Sequence, residues 1–352
     1  MFVALLTYLG RRSKGVILSL AIALVAVIAA IDYWTGIELS LSVFYLLPVA
    51  LAAWFASRGS ALAISVFSAV AWFVTDLLAA PEYDLPFAPY WNAAVRLGIF
   101  WVVTLMLGKI RELVRHELIM AAEIQQAFLP DSLPKFQGLE IAASLKPALA
   151  VSGDYYDVLK FSEHETGFCV ADVVGHGMPA ALLMSSLQAA VKLLASSRLP
   201  PEALCARLNE VICRNTTAGR FITFFYGQLD LRTRKLTYVN AGHNPPILLH
   251  ADGTYELLEP CNPVLGVEPN WPFTAREVTL KSGDRLILFT DGVTELQNPV
   301  GEEFGVHRLL ELVRERTSLS ADALHKLILR KLESYSKGIF PDDITLMILA
   351  VE

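Results

Sequence analysis

Hydrophobic and polar positions divide this chain into two unlike parts. Through the first 110 residues, apolar runs recur at about 15–31, 41–57, 60–80 and 92–108. Each is close to the roughly 20 residues that cross a hydrocarbon core as a helix, so four transmembrane helices are predicted. A removable leader is not expected, because further apolar runs follow the first and no small-residue cleavage site is evident. From about 137 the runs shorten and the period changes. Strands are predicted at 139–145, 166–172, 221–231, 235–240, 246–250, 273–280, 285–290 and 344–351. Helices are predicted at 178–196, 202–215, 308–316 and 321–334. Strands joined by tight turns, with helices inserted in blocks, predict an α+β fold rather than a doubly wound sheet.

Residues 109–129 read as a helix continuing from the last apolar run, rich in Glu, Gln, Leu and Ala and without Gly or Pro before Pro130. Val114, Ala121 and Phe128 fall seven apart, with Leu118 and Ile124 beside them. Two readings stay open: a short coiled coil that would make a homodimer, or an amphipathic helix packed on its own domain. The expected division is 1–108 transmembrane, 109–130 linker helix and 131–352 soluble domain.

Composition sharpens this picture. The 352 residues are 54% hydrophobic and only 18% charged, with a mean hydropathy of +0.46. A formal net charge of −6 argues against a nucleic-acid partner. The cysteines (Cys169, Cys205, Cys213 and Cys261) form no CxxC pair, which suggests a reducing compartment and no zinc site. Arg11, Arg12 and Lys14 precede the first span, Arg58 follows the second, and Lys109, Arg111 and Arg115 follow the fourth. The other connections carry Glu38, Glu82 and Asp84. The positive-inside rule then predicts a multi-pass protein of the cytoplasmic membrane, with both termini and the soluble domain in the cytoplasm. Tyr33, Trp34, Tyr90 and Trp91 would form an aromatic belt at the outer interface. Asp32, Asp76 and Arg96 intrude on the apolar runs; they either pair within an outward-facing pocket or snorkel at the interface.

The chemistry lies in four short acidic motifs: Ser152-Gly153-Asp154-Tyr155-Tyr156-Asp157, Ala171-Asp172-Val173-Val174-Gly175-His176-Gly177, Phe289-Thr290-Asp291-Gly292 and Pro341-Asp342-Asp343-Ile344-Thr345. Each sets a carboxylate at the end of an apolar run, beside a glycine or a turn. Taken singly, each is an ordinary turn or cap. Strands ending in aspartates can gather acidic oxygens into one cluster, which suits Mn²⁺ or Mg²⁺.

With Gln125-Gln126-Ala127-Phe128-Leu129-Pro130 and Asn240-Ala241-Gly242-His243-Asn244-Pro245-Pro246 added, the series from about 121 to 351 resembles the PPM-type metal-dependent protein serine/threonine phosphatases, in the SpoIIE-like branch. The resemblance implies a β-sandwich flanked by helices, with a site for two ions, Mn²⁺ or Mg²⁺, at one edge. It implies that Asp172 bridges the metals, that the Val173 carbonyl is a second contact and that Asp154 holds the water shell. Asp291 and Asp342 would bind the second metal, with Asp157 and Asp343 as outer partners. Two divalent ions about 3.5–4 Å apart can clamp a phosphate and activate water, so no Cys or Ser nucleophile is needed.

His176 and His243 are candidates for the general acid, since an ordinary histidine pKa suits protonating a leaving alkoxide. His176 stands four residues after Asp172, unlike the related animal enzymes, where the histidine stands two after. A role in shaping the turn is the plainer reading for His176, and a role in shaping a nearby loop for His243. Lys146 is the nearest basic residue before Gly153 and the candidate to grip phosphate, a role the related animal enzymes give to an Arg. The implied partner is a phosphorylated cytoplasmic protein, such as a STAS-type anti-anti-sigma factor. The alternatives are a catalytically silent membrane receptor or scaffold on the same fold, or another metal-dependent phosphoesterase.

Overall fold

A computed structural model describes residues 9, 12–36, 41–79, 85–130, 132–216, 219–316 and 318–352, the side chain of 79 excepted. Arg11, Glu38, Glu82 and Asp84, used above to orient the spans, lie outside the described residues. The chain divides into two compact units, Met1–Glu117 and Leu118–Glu352.

The first unit contains α1 (Lys14–Thr35), a 3₁₀ turn (Ser42–Tyr45) leading into α2 (Leu46–Phe55), α3 (Arg58–Ala79) and the first part of α4 (Ala88–Gln126). Ser13 caps α1 by accepting from the Val16 amide at 3.4 Å. Ala21, Val25, Tyr45, Val49, Ala52, Ile64, Trp72 and Phe100 form its buried core. Among the described residues, α1, α3 and α4 are long and apolar enough to cross a membrane. This corrects the expected count of four spans to three. The run at 41–57 is 17 residues of apolar sequence, but its helix ends at Ala56, whose backbone leaves the helical region at φ −102°, ψ −111°. Ser57 is spent on starting α3, where its Oγ accepts from the Ser60 amide at 3.1 Å. What remains spans about 23 Å against a core of about 30 Å.

The charges within this unit have definite surroundings. Asp32 lies within 3.3–3.5 Å of the Thr75 and Tyr45 hydroxyls and the Leu41 amide. The Arg96 guanidinium rests 3.4 Å from the Trp72 ring centroid and donates to the Asn92 carbonyl.

The second unit is a sandwich of two five-stranded sheets. Its strands are β1 (Leu139–Lys146), β2 (Tyr155–Lys160), β3 (Glu165–Val173), β4 (Ile222–Asp230), β5 (Lys235–Ala241), β6 (Ile247–Leu249), β7 (Tyr255–Leu257), β8 (Arg276–Thr279), β9 (Arg285–Phe289) and β10 (Ile344–Val351). One sheet runs β1-β10-β9-β6-β7 and the other β2-β3-β4-β5-β8. Alternation along the strands explains the layers. On β10, Met347 and Leu349 face the inter-sheet core with Phe168, Val170 and Phe225. Leu346 and Ile348 face the other way, against α8 (Gly305–Arg314) and α9 (Ala321–Ser336). On β3, Cys169, Ala171 and Val173 pack under α5 (Met178–Leu194) and α6 (Pro201–Asn215). Helices cover both outer faces, so β10 is buried at every position and reads as an apolar run interrupted only by Thr345.

Candidate active site

Strand polarity brings the four motifs to one end of the sandwich. In one sheet Tyr155 pairs with Ala171, so the start of β2, next to Asp154, lies beside the end of β3, where Asp172 stands. In the other, Leu346 pairs with Phe289, so the end of β9 lies beside the start of β10. That places Asp291 beside Asp342 and Asp343. Asp291 opens a one-turn helix, α7 (Asp291–Thr294).

Two threonines tie the sheets together at this end. The Thr290 and Thr345 hydroxyls both donate to Asp154 Oδ2, at 2.8 and 2.7 Å. Thr290 Oγ1 also accepts from the Thr345 amide at 3.0 Å. Both threonines belong to the quoted motifs, but their contact with Asp154 depends on which strands lie opposite one another, and the sequence carries no local signal for it.

Asp343 accepts from the Ser152 hydroxyl at 2.7 Å, the Gly153 amide at 2.8 Å and the Ala148 amide at 2.8 Å. It fastens the first motif to the last. Gln125, near the end of α4, also holds this loop: its Nε2 donates to the Ser152 carbonyl at 2.7 Å and its Oε1 accepts from the Ser152 amide at 2.8 Å. Gln125 belongs to a quoted motif, but spacing alone does not show what its amide meets. Gly292 is fixed by close approach, since a Cβ there would stand 1.9 Å from the Asp343 carbonyl oxygen. Gly153 is similarly confined, with the Val173 carbonyl 3.2 Å from where its Cβ would lie.

The electrostatics separate the acids. Burial pushes Asp154 well above the usual carboxylate range, and repulsion from Asp172 adds to it; hydrogen bonds from Thr345 and Thr290 oppose both. Asp172 is pushed up to about 7 by burial, then by Asp291 and Asp342. Asp291 is raised by burial and by Asp342. Asp342 is exposed and accepts from the Asp343 amide. Among the described residues no Lys or Arg forms an ion pair with Asp154, Asp172, Asp291 or Asp342.

These side chains repel one another, yet among the described residues no three of Asp, Glu, His and Cys converge as a ready cation cage. The two observations are compatible, because repulsion in a protein reaches several ångströms further than metal coordination. An all-oxygen set, crowded, partly buried and without a protein cation, fits hard divalent ions.

The other expected residues lie elsewhere or are engaged. Asp157, the last residue of the first motif and three after Asp154, is fully buried against α5, where Lys192 Nζ meets it at 2.6 Å and the Tyr155 hydroxyl donates at 2.7 Å. His176 is exposed in the turn before α5. His243 is buried behind β4; its Nδ1 is 2.8 Å from the Thr223 hydroxyl, and Thr223 pairs with Asp172 in register. Burial lowers His243 to about 4, so it is neutral near pH 7 and supports the strand that carries Asp172. Lys146 lies over the Phe340 ring at 3.8 Å and reaches Glu333 at 3.6 Å.

Comparison with known proteins agrees with this architecture. Residues 162–352 match the sequence family described as Stage II sporulation protein E (SpoIIE). The chain is 34% identical over 243 residues to the phosphoserine phosphatase RsbU of Bacillus subtilis, covering 68% of this chain and 71% of that one. Its fold is similar to the SiaA-PP2C domain of Pseudomonas aeruginosa, with a TM-score of 0.60 at 22% identity, over 69% of this chain and 99% of that one. It is also similar to the RsbU and RsbW domains of a Mycobacterium tuberculosis protein, with a TM-score of 0.57 at 27% identity, over 64% of this chain and 63% of that one. Ordered acidic motifs at one edge of a helix-covered double sheet, together with these matches, show that the chain belongs to the SpoIIE family of PPM-type phosphatases.

Proposed function

We propose that this chain is a membrane-anchored, metal-dependent protein serine/threonine phosphatase acting on a cytoplasmic regulatory protein. The observation that carries this reading is the meeting of four strand-end aspartates at one edge of the sandwich, with no basic partner among the described residues. Asp172 and the Val173 carbonyl, with Asp154, Asp291 and Asp342, are the groups that would hold two Mn²⁺ or Mg²⁺ ions. Such ions, when bound, neutralise phosphate charge and make water a better nucleophile.

The chain's own residues do the positioning. Thr290 and Thr345 hold Asp154 in place and favour its ionised form. Asp343 and Gln125 hold the loop that carries it. The N-terminus of α5, just past Gly177, offers free amides to an anion. His176, exposed there, is the residue we assign to protonate the leaving alkoxide.

The division proposed is residues 1–108 as anchor, 109–130 as linker helix and 131–352 as phosphatase. Arg58, before the second span, and Lys109, Arg111 and Arg115, after the last, support placing the phosphatase in the cytoplasm; three crossings put the two chain ends on opposite faces, so the expectation of a shared side goes with the fourth span. Ile124 and Val114 are exposed on α4, which supports a homodimer through that helix. The similarity to RsbU supports a phosphoserine substrate, and the family resemblance supports a STAS-type anti-anti-sigma factor.

The test uses the full-length protein in detergent and a phosphoserine STAS-type protein. We expect phosphate release that requires Mn²⁺ or Mg²⁺ and is abolished by Asp172→Asn or Asp291→Asn. Full activity in either variant, or in EDTA, contradicts the proposal.

A further inference from the structure

The N-terminal unit contains a cavity that phosphatase chemistry does not use. It has a volume of about 440 Å³ and lies between the end of α2, the start of α3 and α4. Arg58, Lys109, Arg111 and Arg115 line it, with Ala53 and Leu105 as an apolar wall. Glu112 is the sole acid of the lining, and its carboxylate is taken by Lys109 at 3.1 Å. The side chains of Arg58, Arg111 and Arg115 make no hydrogen bond or ion pair among the described residues. Three guanidinium groups therefore converge on one cavity without protein anions to neutralise them.

The place of the cavity in the unit says which anion fits. Along α4 the sequence is apolar through Leu107 and turns basic at Lys109. α2 ends at Phe55 and α3 begins at Arg58, so the cavity sits where apolar helix gives way to charge. Phospholipid headgroups occupy that level of a bilayer. Just before it on α4, Trp101, Val102, Leu105 and Met106 are 43–61% exposed and offer a surface for acyl chains. The guanidinium fork matches phosphate oxygens in pairs. A basic flank that only orients a helix needs neither a cavity nor convergence. Nor is the attraction a property of the whole chain, whose net charge is −6.

We propose that this cavity binds the phosphate of an anionic phospholipid, with its acyl chains along α4. The proposal rests on the membrane-anchor part of the reading above and on none of its phosphatase chemistry.

The experiment offers full-length protein mixed micelles of phosphatidylglycerol and phosphatidylcholine and measures retained lipid by native mass spectrometry. Each basic residue near an anionic surface is worth roughly a fivefold change in binding. We therefore expect phosphatidylglycerol to be retained about tenfold or more over phosphatidylcholine. Arg58→Gln/Arg111→Gln/Arg115→Gln should bring the ratio to near one. Gly108→Leu, at a lining position where a Cβ meets nothing within 4 Å, should fill the cavity and lower the ratio with every charge kept. That variant decides the matter if the triple variant fails to fold. Equal retention of the two lipids, or an unchanged ratio in a folded variant, overturns the proposal. Displacement of phosphatidylglycerol by inorganic phosphate overturns the lipid source in favour of a free anion.

Discussion

Asp157 and Asp172 stand in the same sheet, on neighbouring strands, and the protein treats them in opposite ways. Asp157 is wholly buried, yet it has Lys192 at 2.6 Å, the Tyr155 hydroxyl at 2.7 Å and the Val158 amide at 2.8 Å. Its charge is compensated from within the chain. Asp172 has no such cation; burial and the charges of Asp291 and Asp342 raise it to about 7. One carboxylate binds β2 to α5, while the other belongs to a set that the chain leaves electrostatically unfinished. Burying charge without compensation is costly, so the contrast separates an acid that serves the fold from acids that await an external cation. Asp343 falls on the structural side with Asp157, because its oxygens are occupied by Ser152, Gly153 and Ala148.

The contrast breaks most visibly if Asp172 proves dispensable. Asp172→Asn should lower metal-dependent phosphate release by about 10³-fold or more, measured as kcat/KM on a phosphoserine protein. A smaller effect is expected where the two motifs touch. Gly292→Ala puts a methyl group 1.9 Å from the Asp343 carbonyl and should cost about 1–3 kcal/mol in urea unfolding, with activity lost as the β9–β10 edge shifts.

On the other side of the comparison, Lys192→Met leaves Asp157 without its cation. Because Lys192 is 43% exposed, water replaces part of what is lost, and about 1–2 kcal/mol of destabilisation is expected. Activity per folded molecule should be kept, which would sharpen the division between structural and metal-seeking acids. The smallest effect concerns His243, lowered to about 4 by burial. The unfolded chain takes up that proton near pH 6.5, the folded chain only near 4. This contribution to stability is therefore present above about pH 6.5 and lost as pH falls toward 4. His243→Gln should flatten that part of a Tm-against-pH curve.

Much of this was legible in the residue pattern, for identifiable reasons. β10 was read at its full length because an apolar run, interrupted only by Thr345, between an Asp pair and the chain end has few alternatives. The ordered motifs carried the strand-end aspartates, since a turn glycine beside an aspartate leaves a local trace. β2 went unread because Tyr155–Lys160 mixes Tyr, Asp and Lys; its polar Asp157 is buried only thanks to Lys192, 35 positions away. The short α2 was overcounted as a span because hydropathy sees 17 apolar residues, not that Ser57 has been taken to cap the next helix. The roles of Thr290, Thr345 and Gln125 depend on which strands lie opposite one another, and no local signal fixes that.

The central claim is that Asp172 belongs to an acid set completed by an external cation. It is tested most directly by melting full-length wild type and Asp172→Asn in detergent at pH 8, with EDTA and with Mn²⁺. Asp172 is raised from the ordinary 3.8 to about 7, so its contribution to the metal-free fold is present below about pH 4 and lost as pH rises through 7. The account predicts that Asp172→Asn raises the Tm in EDTA and removes most of the rise that Mn²⁺ gives wild type. A variant that melts lower in EDTA, yet gains from Mn²⁺ as much as wild type does, would contradict it.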